Sequence, residues 1–116
     1  MQHHKVGRKF HRVVGRRRSF LRLLSSNLIK VGKIETTEIR AKAIRPIVER
    51  YVTLAKKQTL ASRRVLLARL QNKTIVEKLM NDLATKYAER KGGYLRITKL
   101  PRRMHDASKM AQIEFV

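Results

Sequence analysis

A chain of 116 residues with 29 Lys and Arg against 8 Asp and Glu, a net charge of +21, is long enough for one modest domain and far too basic to neutralise itself. Without cysteine it can have no disulfide, thiolate metal site or cysteine nucleophile, and its apolar runs of four residues or fewer fall far short of the roughly twenty that cross a bilayer. The apolar fraction of 42% is nevertheless that of a folded protein. At a Debye length of about 8 Å its charges repel one another, so a polyanion that lifts the repulsion would stabilise the fold.

Residues 1–15 read as a basic arm ahead of a single domain over 16–116. The first eighteen residues hold seven Lys or Arg, three His and no acid. Val6, Phe10, Val13 and Val14 are interleaved with these cations rather than set on one helical face, so burying them would carry unpaired charges out of water. Such a segment has no basis for folding alone. It becomes intelligible against a nucleic-acid backbone, whose oxygens are closely spaced and anionic; the bland alternative is a solvated tail. With no apolar stretch behind its charges, it does not read as a secretory signal.

A first helix is expected from Arg16 to Val31, with Phe20, Leu21, Leu24, Leu28 and Val31 as its apolar stripe. Gly15 is a permissible N-cap, Ser19 a competing one, and Gly32 a stop. Three arginines, Arg16, Arg17 and Arg18, oppose the helix dipole unless an anion sits there. Lys33–Thr37 reads as a short strand turning directly into a second helix capped by Thr36 or Thr37. That helix runs to about Lys57 on a stripe of Ile39, Ala43, Ile47, Tyr51, Leu54 and Ala55, and Pro46 either bends it or divides it, a bend being the preferred reading. Thr59 caps a third helix, Leu60 to Leu70, with Ala61, Val65 and Ala68 inward. Thr74 to Glu77 has capping-box spacing and opens a fourth, with Val76, Leu79, Met80, Leu83 and Tyr87 inward, running to about Arg90 before Gly92-Gly93. Period-two alternation around Leu95 and Ile97, and again around Ala111, Ile113 and Phe115, predicts two antiparallel strands joined by a basic loop, Pro101 to Lys109. The fold class is therefore α+β, about four helices packed on a three-stranded sheet.

No catalytic constellation stands out: there is no thiol, no glycine-rich phosphate loop and no pair of acids placed together. His3 and His4 are adjacent on the arm and His105 is distant, so neither a metal nor another cofactor is expected, and His11 is better suited to stacking or hydrogen bonding against nucleotides. The residues expected to meet RNA are His3, His4, Lys5, Arg8, Lys9, His11, Arg12, Arg16, Arg17, Arg18 and Arg22, then Arg63, Arg64, Arg96, Arg102 and Arg103. Arginines rank above lysines because their planar fork takes two oxygens.

Seven motifs recur in one order: His3 with Lys5-x-Gly7-Arg8-Lys9 and Arg12; Lys33-Ile34-x-Thr36-Thr37; Lys42-Ala43 leading to Arg45-Pro46; Leu54-Ala55-Lys56; Arg63-Arg64; Gly92-Gly93-Tyr94-x-Arg96-Ile97; and Met110-Ala111-x-Ile113-Glu114. Collinear over almost the whole chain, they resemble the bacterial-type seventeenth protein family of the large ribosomal subunit, and depart from its usual pattern at Gln2, His11 and Val13-Val14-Gly15-Arg16. The resemblance implies an α+β domain bound to large-subunit ribosomal RNA near the exit side for nascent chains, with its arm reaching between RNA helices. It further implies neighbouring large-subunit proteins as partners, a cytoplasmic location in the ribosome, and neither a membrane nor a small-molecule substrate. A small nucleoid-type DNA-binding protein is the rival, since composition alone does not separate the two.

Overall fold

The computed structural model describes residues 14–116; the expected arm, with His3, His4, Lys5, Arg8, Lys9, His11 and Arg12, lies outside the described residues. The first helix, α1, spans Val14–Val31, so Gly15 lies inside its first turn rather than capping it. Its inward residues are Leu28, Ile29 and Ser25, with Leu21 and Leu24 packed at the margin. Val31, expected on that stripe, is 67% exposed because it lies about 100° around the helix from the face that Ser25, Leu28 and Ile29 turn inward. Gly32 ends the helix at φ +97, a left-handed backbone that favours glycine, and its N–H closes on the Leu28 carbonyl at 2.8 Å.

Strand β1, Lys33–Thr37, passes without a loop into helix α2, Glu38–Lys56, where the Thr37 hydroxyl accepts from the Arg40 N–H. One continuous helix contains Pro46, which sits at an exposed position, so the carbonyl its ring leaves unbonded faces water. Helix α2 carries two adjacent apolar strips. The core takes Ala41, Ile44, Val48, Val52 and Ala55, all fully buried, whereas Ile39 of the expected stripe is 46% exposed.

Helix α3, Leu60–Leu70, is opened by a reciprocal capping box between Thr59 and Ser62. It buries Ser62, Leu66 and Leu70, not the expected Ala61, Val65 and Ala68, which are exposed. The larger leucines fill the seam with α2, and the alanines are left on the outside.

The last helical stretch begins at α4, Lys73–Lys78, capped by Asn72 rather than Thr74: the Asn72 side chain accepts from the Ile75 N–H at 3.2 Å. A π-helical turn follows at Leu79–Leu83, then a closing turn, α5, Ala84–Lys86, short of the expected Arg90. In the π turn the Ala84 N–H bonds to Leu79, and Gln58 Nε2 donates to the Met80 carbonyl at 2.7 Å. All five residues of its expected stripe are buried.

Strands β2, Leu95–Leu100, and β3, Met110–Phe115, complete an antiparallel sheet in the order β1-β3-β2. Ile113 pairs with Ile34 on one side and Ile97 on the other, and Ala111 pairs with Thr36, so one face of all three strands meets the helices. The opposite face sets Glu114 between Lys33 and Arg96 in register and carries Glu35 opposite Gln112, two acids against two cations.

The Ser25 hydroxyl is fully buried without a hydrogen-bond partner among the described residues. An unpaired buried hydroxyl costs stability, so Ser25→Ala is expected to hold or raise the unfolding free energy, by up to about 1 kcal/mol in urea. A loss of more than about 1 kcal/mol would contradict that reading of the site.

Candidate nucleic-acid interface

Neutralisation inside the domain is local and sparse. Among the described residues, five of the eight acids form ion pairs: Glu38 with Lys42 (2.9 Å), Glu49 with Arg45 (3.5 Å), Glu77 with Arg63 (3.5 Å), Glu114 with Arg96 (3.8 Å) and Asp106 with Arg103 (2.8 Å). The Lys42 ammonium, hydrogen-bonded to Glu38, lowers that carboxyl below its ordinary value. Other cations close helix ends. Arg22 Nε donates to the Arg69 carbonyl at 3.0 Å and its Nη1 to Gln71 at 3.2 Å, joining α1 to the end of α3, and Lys78 Nζ reaches the Lys30 carbonyl at the end of α1 at 2.6 Å.

The expected RNA-binding residues therefore divide. Arg16 and Arg18 are exposed and Arg17 half-buried at the N-terminal end of α1, with no acid in that turn; Arg64 is exposed on α3. No ion pair or hydrogen bond holds these four among the described residues. Arg22, Arg63, Arg96, Arg102 and Arg103 each have an intrachain partner. Neither α1 nor α3 contains an Asp or Glu, and Arg22 ties the two together, so their joint flank carries no acid of its own, Glu77 of α4 meeting it at Arg63. Arg96 instead lies on the balanced outer face of the sheet.

The loop between β2 and β3 is locked by its own charges. Arg103 makes a two-pronged pair with Asp106 at 3.0 and 2.8 Å, the Ser108 N–H donates to Asp106 at 3.1 Å, and Arg102 Nη1 donates to the Ala107 carbonyl at 2.9 Å. The Arg103 hydrogen bonds, followed by that from Ser108, hold the Asp106 carboxyl well below the usual carboxylate range.

Several recurring motifs serve the fold rather than the surface. Tyr94, almost wholly buried, receives Lys56 Nζ at 3.1 Å on its hydroxyl, which also lies 3.4 Å from that of Thr53. Burial pushes the Tyr94 hydroxyl up, but the bonds to Thr53 and Lys56 and the Lys56 charge outweigh it and bring it below the ordinary value. Lys56 also reaches the Arg90 carbonyl, so Leu54-Ala55-Lys56 and Gly92-Gly93-Tyr94 form one clamp across α2 and the entry to β2. Arg50, Tyr51, Lys57 and Arg69, none of them among the residues expected to meet RNA, gather at a cleft between α2 and α3. The only hint in the sequence was an aromatic residue in α2 beside Arg50. No cluster of three or more potential metal ligands occurs among the described residues.

A family model described as ribosomal protein L17 matches residues 20–116. A protein of Fusobacterium nucleatum subsp. nucleatum, named large ribosomal subunit protein bL17, is 47% identical over 116 residues, covering 100% of both chains. Proteins of the same name from Persephonella marina and Dehalococcoides mccartyi are 50% and 46% identical, covering all of this chain and 95% and 99% of theirs. These alignments run through residues 1–19, which the family model leaves out.

The loop lock has a defined pH signature. Because the Asp106 value is depressed on folding, the lock is complete above the unfolded carboxylate range near about pH 4 and is lost only as pH falls through the lower folded value. The Ser108 amide shift measured by NMR is expected to stay constant from neutral pH to about pH 4 and to move only in stronger acid. An Asp106 titration centred near about 3.9 would contradict it.

Proposed function

Because the chain belongs to the ribosomal protein L17 family, we propose that it acts by neutralising phosphates of large-subunit ribosomal RNA with its basic N-terminal segment and the acid-free flank of α1 and α3. The coarser statement follows from the family: this is a structural constituent of the large ribosomal subunit, located with the ribosome in the cytoplasm, and nothing in that role calls for catalysis. Membership also separates it from a nucleoid-type DNA-binding protein, which composition alone does not. Neighbouring large-subunit proteins are the further partners proposed.

The observation that carries the finer reading is Arg16, Arg17 and Arg18 at the start of α1, unpaired among the described residues and set against the positive end of the helix dipole. That placement is unfavourable in water and becomes favourable when phosphates sit between the arginines and the helix end. The same turn follows directly on Lys5, Arg8, Lys9 and Arg12, so an RNA backbone seated at Arg16 to Arg18 would continue along them. His3, His4 and His11 would add hydrogen bonding or stacking. Arg64 extends the charge onto α3, while Arg22, Arg63, Arg96, Arg102 and Arg103 would contribute through whatever hydrogen-bonding capacity their intrachain partners leave. Since the contacts are to phosphate and shape, little base readout is expected from this part of the surface.

Neutralising about eight phosphates gives a slope of roughly −6 to −7 for log affinity against log salt on folded large-subunit RNA. Removing residues 1–13 takes away four Lys or Arg while leaving α1 whole. The truncated chain is expected to keep its circular dichroism spectrum, bind the RNA much more weakly and show a slope shallower by about three. Unchanged affinity and slope at matched salt would remove the segment from the mechanism.

A further inference from the structure

The cleft between the C-terminal half of α2 and the outer side of α3 is not explained by backbone neutralisation. It has a volume of about 430 Å³, within the size range of small-molecule sites, and its lining includes three largely apolar side chains, Tyr51, Leu54 and Val65. Val65 is 42% exposed there, and Tyr51 is half-buried. Arg50, Lys57 and Arg69 line it as well, and no ion pair engages their side chains among the described residues. The one acid at the cleft, Glu49, is already held by Arg45 at 3.5 Å and by the Gly93 N–H at 3.3 Å, so it offers little competing charge.

We propose that this cleft is a nucleobase pocket, in which one unstacked base of the ribosomal RNA lies against Tyr51 while its flanking phosphates meet Arg50, Lys57 and Arg69. The inference rests on the RNA-binding reading above and adds to it a place where a base, not only the backbone, is held. An aromatic ring beside several cations in one cleft is an arrangement by which single-stranded RNA is gripped, since every base has a flat face to stack and every step a phosphate to neutralise. An acidic or apolar protein segment would use the cations or the apolar side chains, whereas a nucleotide uses both. Burial pushes the Tyr51 hydroxyl up even though the charges of Arg69, Arg22 and Arg50 pull it down, so at neutral pH it keeps its proton and can donate to a base edge.

The chain contains no tryptophan, and its other two tyrosines, Tyr87 and Tyr94, are 3% and 1% exposed, so quenching of tyrosine emission reports mainly on Tyr51. The test compares the full chain binding a single-stranded oligoadenylate with its binding to a fully abasic strand of the same length, by anisotropy of labelled RNA at one salt concentration. Expected is a preference for the base-bearing strand of about five-fold or more, accompanied by quenching. Tyr51→Leu, checked for helicity by circular dichroism, is expected to erase most of that preference while leaving affinity for the abasic strand unchanged; Tyr51→Phe, which keeps the stacking face, is expected to retain it. Equal affinity of the native chain for both strands would overturn the pocket alone and hand the cleft to a protein side chain. Survival of the preference in Tyr51→Leu would also overturn it, placing the stacking elsewhere. Binding of neither strand would overturn the RNA-binding reading together with the pocket.

Discussion

The fully buried strip of α2, Ala41, Ile44, Val48, Val52 and Ala55, is the surface against which the sheet, α1, α3 and the π turn all pack. A chain of net charge +21 folds because burying this strip asks nothing of its cations. Lys42, Arg45 and Arg50 leave α2 from exposed positions, and Lys56, at the edge of the strip, is drawn onto Tyr94 instead of into the core. Replacing Ile44 by Ala would open a cavity at the centre of this contact, at a typical cost of about 2–5 kcal/mol, more than any single surface ion pair here could offset.

Around that core the few acids and several of the cations have a common task, which is to hold the chain's own ends and turns. Arg22 and Lys78 close helix termini contributed by other parts of the chain, Asp106 fastens the β2–β3 loop, and Glu49 steadies the Gly93 backbone. Gly93 itself needs a left-handed φ of +63, so a side chain there would strain the clamp that Tyr94 and Lys56 form. Because the domain is internally fastened, its remaining positive charge has a fixed shape. On the proposed function, that fixed backbone would let a small body present cations to a folded RNA without ordering a loop or helix at the same time, leaving only the rotamer freedom of side chains such as Arg16, Arg18 and Arg64 to be lost.

Elements and their order were legible because period and punctuation coincide: Gly32, Thr37, Thr59 and the glycine pair mark real boundaries, and the alternation around Ile97 and Ile113 marks real strands. Orientation was less legible. Helix α2 has apolar residues on two neighbouring strips, and periodicity gives their spacing but not which one meets the sheet. In α3 the same ambiguity put Val65 inside when Leu66 and Leu70 are there. The π turn gave no signal, since the buried residues keep nearly the same spacing through it. Among the candidate site residues, exposure of Arg16, Arg18 and Arg64 followed from local pattern. The pairings of Arg22, Arg63 and Arg96 depend on residues distant in sequence, and only the pair of Arg103 with Asp106, three positions apart, could have been read locally. The α2–α3 cleft exists only once the two helices are packed, which is why Tyr51 passed for a core residue.

On the proposed function, a fastened domain brings an unbalanced row of arginines to ribosomal phosphates at the start of α1. A density map of the large subunit with this chain in place tests it most directly. The account predicts RNA phosphates within about 4 Å of the guanidinium groups of at least two of Arg16, Arg17 and Arg18, with α1 beginning where it does here. A map in which that turn faces open solvent, with RNA touching only the outer face of the sheet, would contradict it.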